Sequence, residues 1–301
     1  MFVKSAVCLI VKNEGPYLME WVAYYRCLGF DQVVVYDNRS TDGSDLILAQ
    51  MAKANLIMHK FWNKGADESP QISAYRDCLQ WIQSEWLLFV DADEFLVLHK
   101  HGNVNEFLAG YDARPEVTTI GFNWRIFGDS GMSGPDGRLI TERFNRAADY
   151  DFPINFHLKS FTRVRALGRI VNMHITETTG LKVHPSGAVL NMSNWGISDE
   201  TEFSVAQVNH YYTKTYEEYM VKKARGNADL TDDHDQKYNT YHDRAFHGSN
   251  RNEAIDETAH RYLLAVRAEI ASMESAMAKA EQMVDVPVWK RLIQKLSGNR
   301  S

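Results

Sequence analysis

The sequence predicts an α/β fold with an open, mostly parallel central sheet that is covered by helices on both faces. Short apolar runs alternate with segments whose apolar residues recur at helical spacing, and the order β-α-β-α-β-α-β is complete within about 90 residues. The first run, residues 5–11, places apolar side chains on both faces of the predicted strand. Strands of this kind are typical of a sheet that is buried on both sides.

Local residues place each of these elements. The first predicted helix begins at Pro16, which suits the first helical turn, and ends at Gly29. Ser44 can cap the second helix, and the third extends over about residues 71–84. The predicted strands around these helices are 5–11, 32–36, 56–61 and 86–90.

Beyond residue 95 the pattern is less regular and predicts a mixed extension of the sheet. Residues 117–124 and 157–164 have the composition of strands, and long loops rich in Gly and Pro separate them. From Thr215 the pattern becomes helical, with Gly226 as the expected end of one helix and residues 257–283 as another. We therefore predict a domain over 1–214 and a helical C-terminal extension over 215–301.

Composition narrows the function classes. The formal charge of -6 leaves no basic footprint for nucleic acid. Cys8, Cys27 and Cys78 lie in apolar segments and predict buried thiols in a reducing compartment. No run reaches the roughly 18 apolar residues that a membrane-spanning helix needs, so we expect a soluble, cytoplasmic protein. Residues 288–296 form a basic amphipathic stretch that can lie on the anionic surface of a membrane, at the inner face of that membrane. The alternative is a terminal helix docked on the body with its charged face solvated.

Three polar clusters follow the predicted strands, at residues 12–14, 37–42 and 91–94. In an open parallel sheet, ligands bind at the carboxyl ends of the strands, so the clusters are expected to converge on one crevice. Asp91, Asp93 and Glu94 repel one another, and burying them without partners is costly. A divalent cation that carries a phosphorylated ligand would account for them. Capping of the next element by two of the acids is the alternative.

Other phosphate-binding machinery is missing from the sequence. No Gly-x-x-x-x-Gly-Lys loop exists, and no Gly-x-Gly-x-x-Gly follows the first strand. Asp91 and Asp93 point to the same side if the fourth strand continues through them. Their position after the fourth strand of the series therefore favours a nucleotide-handling enzyme.

The motifs resemble a known family in combination. Residues 12–14, 37–43 and 91–95 resemble the family 2-like glycosyltransferases with the GT-A fold. Residues 123–128 and 210–214 resemble a subgroup of these that is related to the family 92 enzymes. The resemblance covers about residues 5–226. It implies an inverting transfer of a sugar from a nucleotide diphosphate, most often a UDP-sugar, with Mn²⁺ or Mg²⁺ as cofactor.

The resemblance also implies roles for single residues. Asp91 and Asp93 would hold the metal and the diphosphate, and His210 would complete the metal shell. Lys214 would neutralise the leaving diphosphate. A core histidine and a surface lysine are the alternatives for the last two. The residues implied to line the nucleotide and sugar pocket are Asn13, Glu14, Asp37, Gln71 and Arg76.

The general base is the weakest part of the resemblance. Family 2 enzymes usually supply it from a Glu-Asp pair, and this chain contains no Glu-Asp dipeptide. Asp129 in the Gly-rich loop and Glu142 are the two candidates. Their alternatives are a turn-capping Asp and a Glu paired with Arg143.

The acceptor is expected, by analogy, to be a glycan or lipid-linked glycan of a bacterial-type surface polysaccharide pathway. A non-catalytic nucleotide-sugar or glycan-binding protein stays open because the Glu-Asp pair is missing. A nucleotidyltransferase on a similar sheet stays open too, although it would want a Gly-rich, Arg-containing loop after the first strand.

Overall fold

A computed structural model describes residues 4–63, 68–170, 172, 174–224 and 242–282, with the side chains of 242 and 243 excepted. The predicted alternation of strands and helices is present in its first part. The strands are β1 Ser5–Val11, β2 Gln32–Asp37, β3 Met58–Phe61 and β4 Trp86–Phe89. The helices are α1 Gly15–Cys27, α2 Ser44–Lys53 and α3 Pro70–Trp81. The fold class predicted from the sequence is confirmed.

Two predicted boundaries shift because the backbone turns early. The third strand begins at Met58, since Asn55 takes a left-handed conformation with a φ of 57° after α2. The third helix ends at Trp81, because Ile82 is already extended.

The rest of the chain adds further strands and short helices to this half-sheet. The strands are β5 Glu94–Leu98, β6 Val117–Ile126, β7 Arg146–Ala147, β8 Leu158–Arg163, β9 Leu167–Ile170, β10 Thr176–Thr178, β11 Leu181–Val183, β12 Ala206–His210 and β13 Ala254–Ile255. The helices are α4 Val104–Ala109, α5 Ile140–Arg143, α6 Tyr216–Ala224, α7 His242–Ser249 and α8 Leu263–Gln282.

The central sheet is mixed and mostly parallel. Its order is β3-β2-β1-β4-β8-β6-β12-β5, and β11 pairs with β6 in parallel beside this path. The first four strands are parallel, β8 lies antiparallel between β4 and β6, and β12 pairs in parallel with β6 and antiparallel with β5. The mixed extension predicted for the middle of the chain is therefore confirmed.

The hydrophobic core lies on both faces of this sheet. Val7, Leu9 and Val11 of β1 pack into a cluster with side chains of α1, α2 and α8. The alternate residues of the same strand pack against α3 on the opposite face. This two-sided burial is the reason that β1 is apolar at consecutive positions.

The C-terminal part contacts the sheet domain closely. α8 packs on α1 and α2, and Val266 and Met273 belong to the main core. β13 pairs with β7, and the buried Arg125 of β6 forms an ion pair with Asp256. The division between residues 214 and 215 stays a prediction.

The predicted C-terminal helices are present with shifted starts. The first is α6, and the second opens as a 3-10 turn, Thr258–Tyr262, that leads into α8. Gly226, residue 283 and the basic stretch 288–296 lie outside the described residues.

Two smaller expectations concern the cysteines and membrane spans. All three cysteines are free thiols, with Cys8 and Cys78 buried and Cys27 partly so. Within the described ranges, every helix is too short or too polar to cross a membrane.

Candidate active site

The first two polar clusters are joined by hydrogen bonds at the carboxyl ends of β1 and β2. The backbone N–H of Asn13 donates to Ser40 Oγ at 2.9 Å, and the backbone N–H of Thr41 donates to the side-chain oxygen Oδ1 of Asn13 at 2.7 Å. The Glu14 amide donates to Ser44 Oγ at 3.1 Å. Asn13 takes a left-handed backbone conformation to make these contacts possible, with a φ of 56°. The structure therefore brings these two clusters together.

Asp37 is fully buried at the end of β2. Its Oδ1 accepts a hydrogen bond from Ser40 N–H at 3.1 Å. Its Oδ2 has no hydrogen-bond partner within the part of the chain that the structure describes. A buried carboxylate oxygen without a donor is costly, so a ligand that donates a hydrogen bond here would be stabilised.

The third cluster forms a tight turn after β4. The strand ends at Phe89, so the idea that it continues through both aspartates, which would then share one side, is wrong. Glu94 N–H donates to the Asp91 carbonyl, and Glu94 Oε2 accepts from Asp91 N–H at 2.7 Å. This turn directs the Asp91 and Asp93 carboxylates to different partners.

Asp91 and Glu94 share the ammonium of Lys159, a fully buried residue of β8. Lys159 Nζ lies 3.0 Å from Asp91 Oδ2 and 3.2 Å from Glu94 Oε2. Burial alone would lower the pKa of Lys159, but the two carboxylates outweigh it and raise that pKa. Burial raises the pKa of Glu94 to about 8, although Lys159 opposes this. Lys159 therefore neutralises the carboxylate cluster from the middle of the sheet.

Asp93 faces His210, as the resemblance implies. The antiparallel pairing of β5 and β12 places His210 opposite Glu94, and Tyr211 N–H donates to the Asp93 carbonyl at 2.8 Å. His210 Nε2 lies 3.6 Å from Asp93 Oδ1, which is longer than a hydrogen bond, and both side chains are buried. Burial lowers the pKa of His210 although Asp93 opposes it, so the imidazole is neutral and available as a ligand.

Two further lysines approach Asp93 from the other side. Lys222 Nζ of α6 lies 2.5 Å from Asp93 Oδ2, and Lys214 Nζ lies 4.0 Å from the same oxygen. Burial alone would raise the pKa of Asp93, but the ammonium groups of Lys222 and Lys214 outweigh it and hold that pKa well below its usual value. Lys214 lies in the loop between His210, which ends β12, and Tyr216, which begins α6. Its backbone is left-handed with a φ of 49°, so His210 and Lys214 do not share a helix.

Lys159 and Lys222 are not among the site residues predicted from the sequence. The available signals were a lysine inside the predicted strand 157–164 and a lysine four residues after Glu218 in a helical pattern. Neither signal separates a buried lysine from a solvated one.

α6 is held by a network around Glu218. The Glu218 carboxylate accepts hydrogen bonds from Thr215 Oγ1 at 2.7 Å and from Arg143 Nη2 at 2.6 Å. Tyr17 Oη donates to the same carboxylate at 3.0 Å. Burial alone would raise the pKa of Glu218, but Arg143 and Thr215 outweigh it and lower that pKa. The first turn of α6 is therefore fixed next to the Asp93 site.

The structure brings together two of the three predicted metal ligands. Asp93 and His210 lie together, whereas Asp91 is turned toward Lys159 and Gln71. Across the described ranges, no three His, Cys, Asp or Glu side chains form a group that could hold a metal ion. Mg²⁺ and Mn²⁺ usually take one or two carboxylates together with substrate phosphates, so the two-residue pair fits that donor set.

The remaining predicted nucleotide residues differ in their positions. Gln71 is buried and donates to Asp91 Oδ1 at 2.8 Å and to Tyr75 Oη at 2.9 Å, which joins it to the third cluster. Arg76 is half exposed and forms an ion pair with Glu68.

The two candidate bases are both engaged. Asp129 accepts hydrogen bonds from Gly131 N–H at 2.9 Å and from Asn250 Nδ2 at 2.7 Å. Glu142 forms an ion pair with Arg267. The alternative pairing of Glu142 with Arg143 is wrong, because Arg143 is bound to the Glu218 carboxylate.

Aromatic rings border the His210 side of the site. The Trp124 ring stands edge-on to His210, with centroids 4.3 Å apart, and stacks on His157 at 5.1 Å. Burial lowers the pKa of the neighbouring His174 to about 3. The Trp124 indole N–H is buried and has no acceptor among the described residues. These rings pack against one another on the His210 side of the site.

The fold and the site together define a class of protein. Its parallel strands end in polar clusters at one sheet edge, as in α/β proteins that bind ligands there. A model of the family described as "Glycosyltransferase family 92" matches residues 4–246. The chain therefore belongs to glycosyltransferase family 92.

Curated plant relatives share part of the chain. A glycosyltransferase family 92 protein of Oryza sativa subsp. japonica is 28% identical over 133 residues, which are 42% of this chain and 22% of the relative. One from Ricinus communis is 28% identical over 144 residues, 46% of this chain and 25% of the relative. One from Arabidopsis thaliana is 26% identical over 148 residues, which are 45% of this chain and 25% of the relative. The matched region is thus about a quarter of the relatives' length.

Solved structures show weaker likeness. The mannosyltransferase PcManGT from Pyrobaculum calidifontis, in complex with GDP-Man and Mn²⁺, is 16% identical, with 99% of this chain and 80% of that chain covered and a TM-score of 0.42. S. aureus TarS 1-349 is 16% identical, with 93% and 91% covered and a TM-score of 0.39. Both scores lie below 0.5, so these likenesses do not define the activity of this chain.

Proposed function

We propose that this chain is a metal-dependent, inverting glycosyltransferase that moves a sugar from a nucleotide-diphosphate sugar to a glycan or lipid-linked acceptor. The observation that carries the proposal is the pairing of Asp93 with His210 beside Lys214 and Lys222, at the carboxyl edge of the sheet. A carboxylate and a neutral imidazole suit Mn²⁺ or Mg²⁺, and two ammonium groups suit a diphosphate. Membership of family 92 supports the same reaction class.

The donor half of the site follows from the buried edge residues. The unpaired Asp37 carboxylate oxygen would accept a hydrogen bond from the base or ribose. Asn13 and Glu14, whose backbone N–H groups bind the loop after β2, are proposed to line the same nucleotide pocket. Gln71 holds Asp91 in place. Arg76 is proposed to face the nucleotide or sugar, which requires it to leave Glu68. We propose UDP as the nucleotide on the resemblance of the motifs.

The chemistry needs charge neutralisation and a base. A bound divalent ion would stabilise the charge of the departing diphosphate. Lys214 lies 4.0 Å from Asp93, where it would add a positive charge on the same leaving group. Inversion is a single displacement, so a carboxylate must take the proton of the acceptor hydroxyl as that oxygen attacks the anomeric carbon. Asp129 and Glu142 both stay proposed for this role.

The proposal keeps the cytoplasmic setting predicted from the thiols, and the three free cysteines are consistent with it. The membrane contact proposed for residues 288–296 falls outside the described residues. The second candidate function is a nucleotide-sugar-binding protein without catalysis. It is supported by the hydrogen bonds that the Asp129 carboxylate accepts, because they compete with its use as a general base.

Calorimetry of UDP binding tests the proposal. We expect UDP to bind with Mn²⁺ present and to lose at least about tenfold in affinity without the ion or in Asp91→Ala and Asp93→Ala. Asp112→Ala is the matched control, because Asp112 is an exposed partner of Lys4 remote in sequence from the clusters. If UDP affinity is unchanged both by removal of the metal and by these mutations, the proposed metal site is contradicted. Slow hydrolysis of a UDP-sugar would separate an enzyme from a binding protein.

A further inference from the structure

The Asp93 carboxylate already binds an ammonium group in the structure. Lys222 takes Oδ2 at 2.5 Å, while His210 faces Oδ1 at 3.6 Å. The Asp93 side chain is only 5% exposed, so the ammonium and an incoming cation would compete for the same buried oxygens. An ion that binds Asp93 therefore has to displace Lys222 or accept a positive charge at contact distance.

The displaced ammonium would need a new anionic partner. The Lys222 ammonium lies in an ion pair with Asp93, and its side chain is 18% exposed, so little water is available to replace the carboxylate. A charged lysine without a partner next to a divalent cation is strongly disfavoured. Besides Asp93, the described structure offers the face of the Tyr212 ring at 4.5 Å from Nζ and the charge of the Glu14 carboxylate, for which no contact with Lys222 is seen. A ring face compensates an ammonium far less than a carboxylate does.

A diphosphate would supply the missing partner. Its oxygens would lie beside the ion, within reach of a lysine whose flexible stem lets the ammonium move while the backbone stays fixed. The backbone of α6 is fixed, because Glu218, one helical turn before Lys222, is bound to Arg143 and Thr215. The moving part is thus the side chain of Lys222 and not the helix.

We propose that Lys222 and a divalent ion compete for Asp93, and that Lys222 transfers to the diphosphate when the ion takes Asp93, so that ion and nucleotide bind cooperatively. This inference rests on the proposed function. It makes Lys222 a residue that couples two binding events, and it accounts for an ion pair at the position where a ligand is expected. The two-residue ligand set of Asp93 and His210 leads to the same expectation of weak ion binding without phosphate oxygens.

Titration of Mn²⁺ into the full chain, with and without saturating UDP, tests the inference. In the wild type, we expect Mn²⁺ to bind at least about tenfold more tightly with UDP than without it. In Lys222→Gln, Mn²⁺ alone should bind about tenfold more tightly than in the wild type, because its competitor is gone. UDP should bind the Mn²⁺-saturated variant more weakly, because a charged contact is lost.

Lys223→Gln is the matched control. Lys223 carries the same charge on the same helix, but its ammonium contacts Tyr212 Oη at 2.9 Å and not Asp93. Both Mn²⁺ affinities of this variant should stay within about twofold of the wild type. The comparison removes the general effect of lowering the positive charge of α6.

Three results would overturn the inference. These are unchanged or weaker binding of Mn²⁺ alone in Lys222→Gln, equal shifts in Lys222→Gln and Lys223→Gln, and equal Mn²⁺ affinity of the wild type with and without UDP. If Lys222→Gln does not fold, the wild-type titration and Lys222→Arg, which should retain the cooperativity, decide the question. Failure of UDP to bind the wild type under any condition would instead refute the proposed function.

Discussion

Replacing Asp256 with Asn should destabilise the whole protein, because it breaks a buried ion pair. The Arg125 and Asp256 side chains are 1% and 3% exposed, and Arg125 Nε donates to Asp256 Oδ2 at 3.2 Å. The Arg125 Nη1 group has no hydrogen-bond partner within the described part of the chain. The substitution therefore leaves a buried guanidinium without its counter-charge.

The expected loss follows from this geometry. Removing one partner of a buried pair costs about 3–5 kcal/mol of the free energy of unfolding. Three other donors to the carboxylate would face an amide that can accept at one atom only. They are Gln207 Nε2 at 3.0 Å, Thr258 Oγ1 at 2.6 Å and the Thr258 backbone N–H at 3.1 Å. The value should lie within this range and not below it.

The pH dependence gives a second signature. Burial alone would raise the pKa of Asp256, but hydrogen bonds from Thr258 and Gln207 and the charge of Arg125 outweigh it and lower that pKa below 3.8. A carboxyl group with a lowered folded pKa stabilises the protein above its unfolded pKa, and this stabilisation is lost as the pH falls through the folded pKa. The difference between wild type and Asp256→Asn should thus be constant near neutral pH and shrink in acid.

Urea unfolding, followed by far-UV circular dichroism between pH 7 and pH 3, measures both effects. Asp112→Asn, which removes an exposed ion pair with Lys4, should cost at most about 1 kcal/mol in the same assay. The reasoning is refuted if Asp256→Asn costs no more than that control, or if its cost does not change with pH.

The remaining predictions concern catalysis and a buried acid. If Asp129 is the general base, Asp129→Asn should lower the rate of sugar transfer by about 10²- to 10⁴-fold with unchanged UDP affinity, and Glu142→Gln should leave that rate unchanged. The opposite pattern would identify Glu142 as the general base. Burial raises the pKa of Glu20 above 4.5, although hydrogen bonds from Ile140 and Thr141 oppose it. Its stabilisation is therefore present below pH 4.5 and lost as the pH rises through the folded pKa. Urea unfolding should show the wild type losing stability relative to Glu20→Gln as the pH rises, and a gain would contradict this.

Much of the fold was predictable because its first part is built from local signals. β1 to β4 each bury a short apolar run, and α1 to α3 each carry apolar residues at helical spacing. Connections between parallel strands are short and have one handedness, so this order leaves few arrangements. The joining of Asn13 to the cluster after β2 follows from that topology, and so does the position of Asp37 at the sheet edge.

The sequence was less informative wherever the outcome depended on contacts between distant segments. The direction of the Asp91 and Asp93 side chains depended on a turn that Glu94 stabilises with a hydrogen bond. Arg76 was expected at the nucleotide but lies beside Glu68. Helical spacing alone does not tell which side of a helix faces the ligand when both sides carry polar residues.

By itself, the sequence determined the α/β class, the parallel half-sheet and the positions of its polar clusters along the chain. Only the tertiary structure decided which cations meet the carboxylates. Lys159 is 68 residues from Asp91, and Lys222 is 129 residues from Asp93. A lysine in a strand or helix leaves the same local pattern whether its ammonium is solvated or buried. What separates the two is the partner charge that folding places beside it, because burying an ammonium group is stable only with such a partner.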